Sequence, residues 1–192
     1  MSVTSTFRPP NFGADVYTYG KIGEKFFMEF HGSQFTKNGY KIYDVSNIQF
    51  WQKIDVDFVV TKYENELQND WKCVYDPAFT KIEVKVDTRA HDTGNLPFEV
   101  ISHGNFGWSI NTHADKVFMI LCNDGIQGGK LYAYEEYLID MKKWKEFGSY
   151  GSNSFRRPNV IYNEEIYDFL HKIVDLKSAG VIIAEQKIND WI

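Results

Sequence analysis

Apolar positions along this chain recur at two different periods, and the switch between them predicts the elements. Val16, Tyr19, Ile22, Phe26, Phe27 and Phe30 recur at helical spacing, with Gly20 and Gly23 on the same stripe. Asp15 is the expected N-cap of that helix and Gly32 its expected stop. Two glycines in one stripe cost helix propensity, which predicts close packing against something flat. Residues 53–60 then alternate, with Ile54, Val56, Phe58 and Val60 on one face and Asp55 and Asp57 on the other. Residues 71–75 are a candidate strand. Residues 81–87 alternate again, placing Ile82, Val84 and Val86 inward and Glu83, Lys85 and Asp87 outward. Two further strands are predicted over 96–102 and 116–122, followed by a glycine-rich hairpin turn over 125–129. The spacing predicts helices over 135–147 and 164–174, the latter from the stripe Ile166, Phe169, Leu170 and Ile173. Pro9, Pro10 and Gly13 mark residues 1–13 as a loose arm. The order predicts an α/β fold, one central mixed β-sheet flanked by helices. It forms a single domain over 14–192, with a core at about 15–122 and a C-terminal helical elaboration over 130–192.

Composition narrows the class. A chain of 192 residues with two cysteines, Cys73 and Cys122, is too poor in cysteine for a disulfide framework. No apolar run approaches the ~20 residues of a membrane span. The opening MSVTSTFRPP lacks the apolar stretch of a signal peptide, so no membrane partner and a cytoplasmic location are expected. Aromatic residues reach 17%, so the core is built largely from rings. The net charge of −5 is the wrong sign for a protein that holds nucleic acid by bulk charge alone. Contact with a polyanion would need a local basic patch or a bound cation. Lys142, Lys143 and Lys145, with Arg156 and Arg157, could supply such a patch, against the bland reading of ordinary solvated charge.

That constraint gives weight to one constellation. If the strands bearing Asp57 and Glu83 are neighbours, the two carboxylates can share a divalent cation. Mg²⁺ prefers oxygen ligands and keeps several waters. A metal-bound water of lowered pKa can attack a phosphodiester, and Lys85 would orient it or balance charge in the transition state. The acid-x-Lys pattern alone is weak. It occurs five times, at Asp70/Lys72, Glu83/Lys85, Asp140/Lys142, Asp175/Lys177 and Glu185/Lys187. The 83/85 copy stands out because it lies in an alternating strand preceded by another with outward carboxylates. Asp70/Lys72 is the main competitor. The five histidines show no spacing typical of a zinc site.

The stretch from Glu83-Val-Lys85-Val-Asp87 to Thr93-Gly94-Asn95-Leu-Pro-Phe-Glu99 resembles the E-x-K-x-D … T-G-N-x-x-x-E signature of phage-type PD-(D/E)XK nucleases. Upstream, Gly20-Lys-Ile-Gly23-Glu24 resembles that superfamily's first-helix glutamate motif. Ile54-Asp-Val-Asp57-Phe-Val-Val resembles its strand bearing an aspartate. Gly107-Trp108 and Ala114-Asp115-Lys116 resemble its link into the next core strand. The resemblance spans about residues 15 to 122 and implies a restriction-endonuclease-like core. It implies that Asp57 and Glu83 are the ligands of Mg²⁺, or of Mn²⁺, and that Lys85 is the catalytic lysine. It makes Glu24, Asp55 and Glu99 auxiliary groups, with Asp55 and Asp57 competing for one role. The implied partner is DNA, with RNA as a second candidate, and a homodimer is the arrangement for cutting both strands of a duplex. The implied origin is a phage, acting in a host cytoplasm. The alternative is an inactive nuclease-fold module that binds nucleic acid or a protein, which the aromatic content suits.

Overall fold

The computed structural model describes residues 12–64, 66–87, 90–102, 104–127, 130–147, 154–159 and 164–187. Helix α1 (Phe12–Phe27) runs without a break into a π-helical turn (Met28–Gly32) and α2 (Ser33–Lys37). The helix therefore starts before Asp15, which lies inside it, and passes through Gly32. That glycine keeps helical backbone at φ −54°, ψ −45°. The actual stop is Gly39, at φ +77°. The expectation of close packing holds at Gly23, where a Cβ would sit 2.5 Å from Val86 Cγ2. At Gly20 a Cβ would meet nothing within 4 Å.

The central sheet has six strands in the order β1 (Lys41–Asp44), β2 (Phe58–Thr61), β3 (Thr80–Asp87), β6 (Lys116–Gln127), β7 (Lys130–Asp140) and β10 (Ile182–Lys187). It is mixed: β3 and β6 are parallel and the other pairs antiparallel. The excursion from β3 to β6 carries α5 (Ala90–Thr93), β4 (Asn95–Ser102), β5 (Asn105–Phe106) and α6 (Trp108–Asn111). Strands β4 and β5 join β8 (Ser154–Asn159) and β9 (Glu164–Lys172) in a second sheet, ordered β5-β4-β9-β8. Four short helices complete the described chain: α3 (Gln49–Gln52), α4 (Trp71–Tyr75), α7 (Met141–Phe147) and α8 (Ile173–Ser178).

Each face of the central sheet has its own core. Ile82, Val84, Phe118 and Ile120 pack with Phe27 and Phe58 under α1. Val117, Met119, Leu121, Tyr137 and Ile139 pack on the opposite side with Leu96 and Phe98 of β4 and Trp144 of α7. A sheet covered on both faces explains why Glu83, expected outward, is only 4% exposed. Among the described residues no helix is long and apolar enough to cross a membrane.

Four expectations fail for identifiable reasons. Residues 71–75 form a helix, α4 (Trp71–Tyr75), because Asp70 caps it, accepting from Cys73 N at 2.9 Å. Residues 53–57 are not strand: the chain turns through Asp55 at φ +50° and becomes β2 only at Phe58. The helix expected over 135–147 is confined to Met141–Phe147, while residues 135–140 belong to β7. There Tyr137 and Ile139 face one core and Leu138 the other. Inward Glu136 disguises this alternation, being buried against His31 at Nε2–Oε2 2.7 Å. Residues 164–172 form β9, whose backbone pairs with β4 and β8, and only the end of the expected helix survives as α8. The C-terminal part is thus rich in strand, not a helical elaboration. β6 and β7 pair as an antiparallel hairpin, but residues 125–127 of the expected turn belong to β6 and residues 128–129 lie outside the described residues. Of the arm expected over 1–13, residues 12–13 open α1 and residues 1–11 lie outside the described residues.

Candidate functional site

The site begins where two strands part. β2 pairs with β3 from Val60↔Thr80 to Phe58↔Ile82, and Asp57 N then donates to Ile82 O at 2.9 Å. The next N–H on that edge of β3 belongs to Val84 and has no strand opposite it. Asp57 Oδ2 takes it, at 2.9 Å. A side chain thus replaces a missing strand carbonyl, which fixes the Asp57 carboxyl beside Glu83. Lys85 lies one strand repeat further on, and its Nζ is hydrogen-bonded to Glu83 Oε1. Trp108, at the start of α6, lies against the same ammonium, its ring centroid 5.5 Å from Nζ. Asp57, Glu83 and Lys85 are therefore gathered at one point. Sequence spacing alone left that conditional on the neighbourhood of β2 and β3.

Burial sets the charges. It pushes the Asp57 carboxyl up, the Glu83 charge adds to this, and the Val84 N–H and Lys85 oppose it; the result is a pKa of about 8. Glu83 is likewise raised by burial, against the pull of Lys85. Burial alone would lower Lys85, but its bond to Glu83 outweighs that and keeps the ammonium more strongly protonated than usual. Glu83 Oε2 is buried and finds no amide, hydroxyl or ammonium donor among the described residues. Asp57 is the neighbouring carboxyl that can hydrogen-bond to Glu83 when one of the two is protonated. Two neighbouring carboxyl groups, Glu83 buried and Asp57 half-buried, with one Glu83 oxygen lacking a donor, form a place that gains from either a proton or a cation.

The carboxylates open into a recess of about 220 Å³ that Gly20, Lys21 and Glu24 of α1 line with Ser46, Gln52 and Asp55. Gly20, lacking a side chain, leaves its mouth open. Glu24 reaches this recess and forms an ion pair with Lys21 at 2.7 Å. Asp55 is present by a different route from the expected one. Its left-handed backbone is held by Thr112 Oγ1 donating to its carbonyl at 2.7 Å and by Asn111 Nδ2 donating to its Oδ2 at 3.1 Å. It does not share a strand face with Asp57, yet its charge still acts on Glu83 and Lys85.

Other candidates fall elsewhere. Glu99 lies in the second sheet, where its carbonyl accepts from Ser109 Oγ at 2.7 Å and packs under Gly107. The principal groups acting on Asp57, Glu83 and Lys85 do not include it. The Thr93-Gly94-Asn95 segment is the exit turn of α5, with Gly94 at φ +65°. The competing Asp70 is a helix cap. Lys142 and Lys143 are exposed on α7, and Lys142 lines a different recess. Arg156 and Arg157 lie in β8, at the edge of the second sheet, and their side chains are outside the described residues. Trp108, Lys21 and Ser46 were not singled out from the sequence. Trp108 and Lys21 fall inside the quoted motifs, whereas nothing in the pattern marks Ser46.

The donor set can be tested against a cation. Among the described residues no group of three or more His, Cys, Asp or Glu side chains converges as a metal cage. Two carboxylates at the edge of an open recess instead suit Mg²⁺, which keeps most of its waters. Comparison with protein-family models, with curated proteins and with solved structures finds no match to this chain.

Proposed function

We propose that this protein is a metal-dependent phosphodiester hydrolase acting on DNA, built on a restriction-endonuclease-like variant of its α/β core. The observation that carries the reading is the pairing of Asp57 with buried Glu83, one Glu83 oxygen lacking a donor among the described residues and Lys85 bonded to the other. Asp57 and Glu83 would hold Mg²⁺, which when bound lowers the pKa of a coordinated water and polarises a phosphate oxygen. The protein's own groups do the rest. Asp57 is fixed by the Val84 N–H, so its free oxygen has a defined direction. Lys85, kept charged by Glu83 and braced by Trp108, cannot serve as a base. It is suited to hold the attacking water or to offset charge gathering on the phosphate. Glu24 and Lys21 shape the entrance.

The test is cleavage of mixed DNA and RNA substrates by the purified protein with Mg²⁺, Mn²⁺ or EDTA. Glu83→Gln and Lys85→Met keep side-chain volume and should each lower cleavage by about a hundredfold or more. Cleavage that persists in EDTA, or in folded Glu83→Gln protein, would refute the assignment.

A further inference from the structure

A second recess, of about 610 Å³, lies at the start of β3, where Lys81, His113 and Lys116 meet α4 and α7. Its rim carries an aromatic ledge. Trp71 and Tyr75 of α4 are 49% and 70% exposed, with rings stacked at 5.8 Å and 21°. Phe50 and His113 meet Trp71 at steep angles, 74° and 65°, and so fix its orientation. Rings of this size are seldom left in water in a row without a partner.

The charge around the ledge is specific. Three carboxylates line the recess, and each has its own lysine: Asp115 with Lys81, Asp140 with Lys116, Glu146 with Lys143. Lys142 and Lys145 also line it and have no acidic partner among the described residues. Lys145 donates to a neutral carbonyl, that of Thr112, at 3.1 Å. The surplus is positive in a protein whose total is −5. His113, in the middle, is pushed toward its neutral form by burial and by Lys145 and Lys81. Lysine is depleted at protein–protein interfaces, so stacked rings edged by lysines fit a polyanion better than a protein partner.

We propose that the Trp71–Tyr75 ledge and its lysine-edged recess bind a single-stranded segment of nucleic acid. An unpaired base stacks on the rings, and its phosphate lies against Lys142 and Lys145. Stacking tolerates any base, and the lysines follow the backbone, which is the division of labour in single-strand binders. The ledge is coupled to the carboxylate site by the chain itself. Lys81 precedes Glu83 on the same strand by about 7 Å, and His113 N donates to Ile54 O, next to Asp55, at 2.9 Å. The inference rests on the nucleic-acid half of the reading above and not on its hydrolytic half.

The experiment is fluorescence anisotropy of a labelled oligo-dT at low salt in EDTA, so that no hydrolysis enters. Trp71→Ala/Tyr75→Ala should weaken binding by about tenfold or more, and Trp71→Phe, which keeps a ring, should restore much of it. Lys142→Ala/Lys145→Ala should weaken binding and flatten its salt dependence. A blunt duplex, whose bases are already stacked, should bind more weakly than the single strand. Thermal unfolding shows that each variant is folded. Unchanged oligo-dT affinity in the folded double aromatic variant overturns the ledge, even if the protein cleaves DNA. Ledge-dependent binding by a protein that cleaves nothing supports the ledge and removes the hydrolase. Native protein that binds no strand, and self-associates through Trp71, overturns the inference in favour of a protein contact.

Discussion

At the scale of single residues, Asp57 does two jobs that different substitutions separate. Its Oδ2 satisfies the Val84 N–H, and its charge state answers to Glu83. Asn keeps the first function and removes the second, while Ala loses both. Asp57→Ala should therefore cost about 1–3 kcal/mol for an unsatisfied buried N–H, and Asp57→Asn much less. The pH dependence has a definite sign. With a folded pKa of about 8, against an ordinary value of 3.8, the native protein keeps a proton that the unfolded chain has lost across that window. Without cation, stability falls as pH rises from about 4 to about 8 and levels off above. In EDTA, the melting temperature of the native protein should drop relative to Asp57→Asn between pH 5 and pH 8.5. Added Mg²⁺ should recover it most at the alkaline end. Parallel melting curves for the two proteins would show that Asp57 is not held protonated. Part of this was legible in the residue pattern: the alternation of β3 marked Glu83 and Lys85, whereas the alternation that marked Asp57 belongs to a turn that precedes β2. The donor role of Val84 was not legible, because it depends on β2 ending one residue short of a full pairing.

At the scale of elements, sequence reading succeeded where polar and apolar residues alternate in step with the strand and failed where a buried polar residue or a hidden cap broke that period. β3 was legible because Glu83 and Lys85 alternate with Ile82 and Val84, although both its faces are closed over. β7 was not, because Glu136 occupies a position that the period assigns to an apolar residue. Its carboxylate is stabilised there by His31, carried in from the π-helical turn. The same π turn explains why Gly32 failed as a stop: the ladder widens at that point instead of ending. This pairing makes a prediction about how β7 is held. His31→Ala leaves a buried carboxyl group whose other oxygen, Oε1, has no partner among the described residues, and should cost about 1–3 kcal/mol. Adding Glu136→Leu to it should return most of that loss, because an apolar side chain suits a sheet covered on both faces. Denaturant unfolding of the single and double variants measures the difference. Equal stabilities would show that the pair contributes nothing to seating β7. A cap was equally hidden in α4: Asp70 precedes residues that alternate like a strand, and only its bond to Cys73 N decides for helix.

At the scale of the whole molecule, a net charge of −5 and the acidic pair of Asp57 and Glu83 both oppose the approach of a polyanion. Binding of DNA must then draw on local positive surface and on whatever neutralises Asp57 and Glu83. The molecule keeps these apart: surplus lysines lie at one end of β3, and the carboxylates lie where β2 and β3 separate. In the absence of divalent cation the second region repels phosphate, and Lys85, occupied by Glu83, does little to offset it. Above about pH 8, where Asp57 has lost its proton, a double variant, Asp57→Asn/Glu83→Gln, removes two negative charges and loosens the hold on Lys85. It should bind duplex DNA in EDTA more tightly than the native protein, by several-fold at low salt, with the gap closing as salt is raised. Divalent cation should reverse the order, tightening the native complex and leaving the variant unchanged, because only the native site has ligands for it. Binding titrations at two salt concentrations, with and without Mg²⁺, read both effects. If native and variant proteins bind alike with and without cation, phosphate never approaches Asp57 and Glu83. The carboxylate pair would then be a feature of the fold, and function would have to be sought at the lysine-edged ledge.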